Sequence, residues 1–343
     1  MSHKIIPFGY AIAAKGGAAM CTAITFQTKD SYFGRNLDLE YAYQETVTVT
    51  PRNFPFHFRN GSLDTSHFAL IGMATVSNGY PLYYEATNEM GLSLAGLNFP
   101  GNAIYHPEAA GKDNIAPFEL IPWVLGQCAT VPEALEKLKH VNLWDHPFSA
   151  AFPPSPLHWL LSDQESSFTL EPLAEGLKIS PNPVGVLTNN PPFDFHMHNL
   201  AQYINLTALP PENRFSQLIP LKPFSLGMGS IGLPGDMSSA SRFVKAAFTK
   251  LNSRCGNSES ESISQFFHIL SSVTQQRGLT CVRDEEYEFT RYSSCCNTTK
   301  GIYYYTTYEN SQITAVDMHR ENLDGMHIIS YPLITGQQIH YQN

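Results

Sequence analysis

The stretch GGAAMCTAITF, residues 16–26, sets a cysteine directly after a methionine at the head of an alternating, strand-like run. Nineteen residues precede that methionine. If Met20 is removed, Cys21 becomes a chain terminus with a thiol and a free α-amine on one carbon, so the nucleophile brings its own base. Reference pKa values of about 8.5 for a thiol and about 7.7–8.0 for an α-amine let a proton pass between them near neutral pH at little cost. An internal cysteine lacks that partner and reads as an ordinary strand residue.

Other chemistry-bearing patterns fall short. GLSLAG at 91–96 approaches a serine-hydrolase elbow, but Ala95 replaces the second glycine and the following LNFPG does not open a helix. Thirteen histidines include no HExxH, and the six cysteines no CxxC. His196 and His198 lie two apart on a predicted helix and so face different ways. Neither a metal nor a cofactor is expected. GMGSIGLPGD at 227–236 lacks both the Lys-Ser/Thr end of a phosphate loop and GxGxxG spacing, and reads as a turn.

A hairpin must position Cys21. CTAITFQ and SYFGRNLD flank the short connection TKD. With Lys29 and Asp30 as a two-residue loop, facing positions sum to 59 and Cys21 falls opposite Asp38. Directly opposed residues have Cβ atoms about 4.5–5.5 Å apart, so the carboxylate would hold the amine or the thiol. Strict alternation puts Arg35 on the other face from Asp38. A bend or bulge near Asn36 is therefore expected, to bring both into one site.

The 343 residues, 43% hydrophobic and 12% aromatic, suffice for a sizeable core, and no Gly-, Ser- or Pro-rich run is long enough to act as a linker. One domain over 21–343 is expected. A net charge of −9 with no Lys/Arg cluster longer than a pair argues against nucleic acid as a partner. No apolar run approaches the roughly 18–20 residues of a membrane helix. Six sparse cysteines, with Cys295 and Cys296 adjacent, read as reduced thiols in a cytoplasmic protein. Residues 1–20 superficially resemble a signal peptide, but Lys15 interrupts the apolar patch and Met20 is a poor residue before a cleavage site.

Strand patterns occupy both ends of the chain and amphipathic helices lie between. ETVTVTPR, FALIGMATV, PLYYEAT and GLSLAGLNF follow the hairpin, then APFELIPWVLGQC and VPEALEKLKHV have helical spacing. LHWLLSD, SFTLEPL and VGVLTNN return to strand, DFHMHNLAQYINL, SASRFVKAAFTKLN and ESISQFFHILSSV read as helices, and YEFTRYSS, GIYYYTTYE, QITAVDM and HIISYPL close as strands. Grouped rather than alternating elements predict antiparallel α+β layers and disfavour a Rossmann fold.

Taken in order, MCTAITF, YFGRNLDLEY, VTPRNFPF, AGLNFPGN, PFELIPWVLGQC, LHWLLSD, VGVLTNNPPFDF, GLPGDMSSASRFVKAAF and GIYYYTTYEN resemble the bile salt hydrolases, the choloylglycine hydrolase group of N-terminal-nucleophile hydrolases. The resemblance runs from Met20 to the C-terminus. It implies a four-layer αββα sandwich, exposure of the cysteine by autocatalysis or an aminopeptidase, no metal, and a cytoplasmic homotetramer. By motif, Cys21 resembles the nucleophile, and Arg35 and Asp38 the residues that orient it. Asn98 and Asn189 resemble the pair that holds the substrate amide and the tetrahedral oxyanion, a task suited to amide N–H donors. Arg242 resembles the last active-site arginine, whose fixed charge favours a thiolate. Family pocket positions fall on Leu37, Phe148 and Phe152, and on Ser77, where some relatives carry a bulky aromatic.

The resemblance implies hydrolysis of the amide between a bile acid and glycine or taurine. Residues 1–20 would be absent from the active enzyme, as a misread start, an added segment or a propeptide. Penicillin V acylase activity is the alternative within the family, and Asn98 argues against it because those enzymes tend to carry Tyr there. A catalytically silent steroid-binding protein is the alternative if the extension stays attached.

Overall fold

The structure, a computed structural model, describes residues 20–343. Residues 1–19, and with them most of the expected extension, lie outside the described residues. The chain runs through β1 (Cys21–Gln27), β2 (Ser31–Leu39), β3 (Thr46–Thr50), β4 (Phe56–His57), β5 (Leu63–Asp64), β6 (Leu70–Ser77), β7 (Tyr80–Asn88), β8 (Ser93–Asn98) and β9 (Asp113–Ile115) to α1 (Leu120–Leu125) and α2 (Val131–Leu138). Next come β10 (Val141–Leu143), β11 (Leu157–Ser162), β12 (Ser167–Leu173), β13 (Gly176–Pro181) and β14 (Val186–Leu187), then α3 (Phe193–Leu200), α4 (Ser239–Asn252) and α5 (Glu259–Ser271). β15 (Thr280–Arg283), β16 (Glu286–Asn297), β17 (Ile302–Thr307), β18 (Thr314–Asp317) and β19 (Ile329–Pro332) close it.

Local chemistry starts the helices. The Thr130 hydroxyl accepts from the Glu133 N–H at the head of α2, Ser238 accepts from Ser241 at α4, and Ser258 with Glu261 forms a capping box at α5. Each such cap is worth about 1 kcal/mol. Their apolar faces then bury against sheets.

Two antiparallel sheets carry the fold. A seven-stranded sheet has the order β14-β1-β2-β16-β17-β18, with β15 paired to β16, and an eight-stranded sheet has the order β13-β12-β11-β8-β7-β6-β3-β19. Phe243, Phe266 and Ile269 of α4 and α5 pack on the first sheet, and the facing sides of both sheets share that core through Val47, Ile71, Met73, Leu97 and Tyr292. A second core joins α1 and α2 to the outer face of the eight-stranded sheet through Leu120, Val124, Ala134, Leu94 and Trp159. The layers are therefore helices, sheet, sheet, helices, the αββα sandwich expected. Among the described residues no helix is long and apolar enough to cross a membrane.

The hairpin register differs from expectation. β1 and β2 pair Cys21 with Leu37 and Ala23 with Arg35, so facing positions sum to 58 and the loop is the three-residue Thr28–Asp30. Asp38 instead pairs with Thr290 on β16. No bend interrupts β2 at Asn36; the irregularity sits on its neighbour, where Arg291 is the extra residue between Thr290 and Tyr292. Gly34, beside Arg35, permits this pairing, because a Cβ there would lie 2.1 Å from the Ser294 carbonyl oxygen.

Candidate active site

Arg35 and Asp38 stay on opposite faces of the first sheet. Arg35 points into the space between the sheets, where its Nη1 donates to the Gly96 carbonyl of β8 and, at 3.3 Å, to the Tyr84 carbonyl of β7. Thr22, Asn36 and Asp38 face the helices: Arg242 of α4 donates to Thr22 Oγ1 at 2.7 Å, and Asn36 Nδ2 donates to the Leu270 carbonyl of α5 at 3.0 Å. Both nevertheless act on Cys21, because it is the first residue of its strand. Its side chain faces one layer while its main-chain nitrogen leaves the ladder.

Cys21 is buried, 2% exposed. Burial pushes its thiol up, the Arg35 guanidinium and the Asp38 main-chain N–H pull it down, and the Asp38 and Glu288 carboxylates add to the rise. Arg35 stands opposite Ala23, on the same face of the hairpin as Cys21, so its charge acts on the sulfur from the inter-sheet side. Asp38 is fully buried, its Oδ1 accepting from Thr290 Oγ1 at 2.6 Å, and its Oδ2 has no hydrogen-bond partner among the described residues. Burial pushes this carboxyl up to about 6 against the pull of Arg242, Thr290 and Arg35. Met20 lies across the same place: its carbonyl accepts from the Asp38 N–H at 3.1 Å and its N–H donates to Glu288 Oε1. Burial, with Asp38 nearby, pushes Glu288 up to about 9.

Asn189 is the hub of the remaining contacts. Its Oδ1 accepts from the Cys21 N–H at 2.7 Å and from Arg242 Nη2 at 2.8 Å, while its Nδ2 donates to the Asn98 carbonyl at 2.8 Å. Ser239 Oγ accepts from the Asn189 N–H at 2.9 Å, and His196 Nε2–H donates to the Asn189 carbonyl at 2.9 Å. Arg242, wholly buried on the first turn of α4, also donates to the Cys21 carbonyl. The six sequence-predicted polar residues, Cys21, Arg35, Asp38, Asn98, Asn189 and Arg242, thus gather around the start of β1, Arg35 from the inter-sheet side.

Leu37 is buried opposite Cys21. Ser77, the last residue of β6, lies half-buried and paired with Tyr80, at the end of the eight-stranded sheet where β8 finishes at Asn98. Phe148 and Phe152 sit in the loop before β11 at that same end, ring centroids 5.8 Å apart, and Phe148 packs on Tyr80 and Phe118. A cavity of about 370 Å³ lined by Thr25, Tyr32, Ser93, Ser162 and Phe168 opens at the opposite end of the sandwich, away from Cys21.

Sequence reasoning missed Thr290 and Glu288, which hold Asp38 and Met20, as well as Ser239 and His196, which hold the Asn189 main chain. Thr290 and Glu288 share one face of an alternating strand, a pattern that signals only burial. His196 carried a signal, a histidine on a helix; it is buried and bonded to Asn189, while His198 is exposed and bonded to the Asp194 carbonyl.

Residues 21–331 match the family described as linear amide C–N hydrolases, choloylglycine hydrolase family. The chain is 53% identical over 324 residues to a bile salt hydrolase/transferase of Lactiplantibacillus plantarum, covering 94% of this chain and 100% of that protein. It is 39% identical over 336 residues to a bile salt hydrolase/transferase of Clostridium perfringens, with 94% and 100% covered. A crystal structure of the conjugated bile acid hydrolase from Clostridium perfringens superposes with a TM-score of 0.86 over 94% of this chain and 100% of that one. Penicillin V acylase from Agrobacterium tumefaciens shares the fold, with a TM-score of 0.69 at 20% identity over 91% of this chain and 90% of that one.

Proposed function

This chain belongs to the choloylglycine hydrolase family, and from that premise we propose that it cleaves the amide of glycine- or taurine-conjugated bile acids with Cys21 as an N-terminal nucleophile. The observation that carries the assignment of Cys21 is the convergence on it of Arg35, on the same inter-sheet face, and Asn189, bonded to its nitrogen.

In the processed protein the α-amine takes the thiol proton, and the thiolate attacks the substrate carbonyl. Amide N–H groups of Asn98 and Asn189 stabilise the oxyanion. Collapse of the tetrahedral species breaks the C–N bond, the α-ammonium returns its proton to the leaving amino acid, and a thioester remains. Water, losing a proton to the amine, attacks the thioester and frees the bile acid. The unpartnered Oδ2 of Asp38 is the acceptor that orients the amine. Arg242 fixes the Cys21 carbonyl and Asn189 together. Leu37, Ser77, Phe148 and Phe152 border the apolar pocket for the steroid.

The segment before Cys21 is absent from the active enzyme on this reading. Its support is that the family match begins at residue 21, and that Met20 occupies the space beside the nucleophile, engaging the Asp38 N–H and Glu288. A cytoplasmic homotetramer belongs to the same reading. Six free cysteines support the compartment, and the loop at 204–226 supports assembly by exposing Ile204 (87%), Phe215 (82%), Leu218 (94%) and Leu226 (93%), apolar side chains of the kind that protein contacts cover.

The names of the Lactiplantibacillus and Clostridium relatives also include transferase. The thioester gives the same option here, with an amine in place of water. The deciding assay incubates the processed protein with glycocholate and taurocholate and follows release of amino acid and free bile acid, with and without an added amine. No release from either conjugate would sink the reading.

A further inference from the structure

The inter-sheet space behind the thiol holds a carboxylate that the reaction above does not use. Glu85 of β7 is 1% exposed, and its Oε2 lies 3.8 Å from Arg35 Nη1. Three hydroxyls of the facing sheet donate to it: Tyr292 to Oε2 at 2.9 Å, and Tyr303 and Ser294 to Oε1 at 2.5 and 3.0 Å. Ser294 Oγ in turn accepts from the Arg35 main-chain N–H at 3.2 Å.

A bulge brings this about. β6 and β7 pair Met73 with Glu85 and Ala74 with Tyr83, which leaves Tyr84 as an extra residue. Tyr84 packs against the inter-sheet core and Glu85 reaches the tyrosines across it, so two consecutive side chains face the same way, which a regular strand does not allow. A bulged residue is left out of the ladder. The Tyr84 carbonyl is accordingly turned to Arg35.

Burying a charge without a partner costs several kcal/mol, so Arg35 and Glu85 each require the other. Burial raises the Glu85 carboxyl, and Arg35 leads the groups that draw it back. We propose that Glu85 is a positioning residue for the Cys21 thiol: reaching from the second sheet, its carboxylate holds the Arg35 guanidinium on the inter-sheet face that it shares with the thiol. The inference rests on Cys21 being the nucleophile. Glu85 touches no reacting atom and acts only through Arg35.

The test is Glu85→Gln in the processed protein. Cys21 alkylation by iodoacetamide is followed against pH by peptide-resolved mass spectrometry, alongside kcat and KM on glycocholate. With Arg35 loosened, the alkylation midpoint rises by about one pH unit. At pH 7 kcat falls about tenfold with KM little changed, and turnover recovers in part as pH is raised. A folded variant with an unmoved midpoint makes Glu85 a tie between sheets and overturns the proposal. A lowered midpoint makes it a counter-charge and overturns it equally. If Glu85→Gln does not fold, the Tyr292→Phe, Tyr303→Phe double variant, which removes two of the carboxylate's donors, is read by the same criteria. Failure of the underlying reading looks different: wild-type alkylation at Cys21 would leave turnover intact.

Discussion

Asn189 Oδ1 accepts from both the Cys21 N–H and Arg242 Nη2, at 2.7 and 2.8 Å. A guanidinium is thereby fixed beside the main-chain nitrogen that the proposed reaction uses as its base. On the proposed mechanism, like charge nearby lowers the pKa of the amine and so favours the form that can take the thiol proton.

Cys21→Ser in the processed protein should fold normally and keep less than about a tenth of wild-type turnover, since a hydroxyl deprotonates far less readily than a thiol. Circular dichroism and initial rates on taurocholate check this. A greater residual rate would remove Cys21 from its role.

A chain begun at Met20 should show Cys21 as its first residue and hydrolyse conjugated bile acids. One whose extension is made uncleavable should be slower by about 10²- to 10⁴-fold, the usual contribution of a positioned base. In that chain the base is an amide nitrogen without a basic lone pair. Mass spectrometry of each N-terminus, with rates on glycocholate, decides; equal rates would exclude a terminal nucleophile.

The pH profile should have an acid limb from Asp38. Its carboxyl stands at about 6 with Met20 attached, and a free α-ammonium beside it only lowers that value. The ionised form is the one that holds the amine. kcat/KM should therefore rise with pH and level off, with the limb at or below about 6. Asp38→Asn should lower the plateau and move the limb, leaving only the titration of the amine and thiol; an unmoved limb in that variant would reassign it.

His196 should make stability fall in acid. Burial holds its imidazole at about 4, below the roughly 6.5 of an exposed histidine, so the unfolded chain binds the proton first. Its contribution is complete above about pH 6.5 and is lost as pH falls to about 4, by up to about 3 kcal/mol. His196→Gln keeps a donor for the Asn189 carbonyl without the titration. Denaturant unfolding at pH 7 and pH 4.5 should show the wild type losing more than the variant; parallel losses would clear His196.

The residue types of the site were legible from Cys21, Arg35 and Asp38, and α4 occupies the run SASRFVKAAFTKLN without adjustment. Their geometry was less so. The choice between a two-residue and a three-residue loop at Thr28–Asp30 moves every facing pair by one position, and nothing in Thr-Lys-Asp dictates the longer one. Glu85 was hidden for a related reason: in PLYYEAT the bulge at Tyr84 breaks the alternation from which its direction would be read. The burial of Arg242 depends on acceptors at Cys21, Thr22 and Asn189, all far away in sequence.

Arg35 reaches from the first sheet to carbonyls of the second, while Tyr292 and Tyr303 reach from the first sheet to Glu85 on the second. Sliding one sheet along the other would break these links together rather than one at a time. The sandwich therefore resists shear at the level of the nucleophile. The Arg35 amide, bonded to Ser294 inside this lattice, belongs with the protons that exchange with solvent only when the whole domain opens.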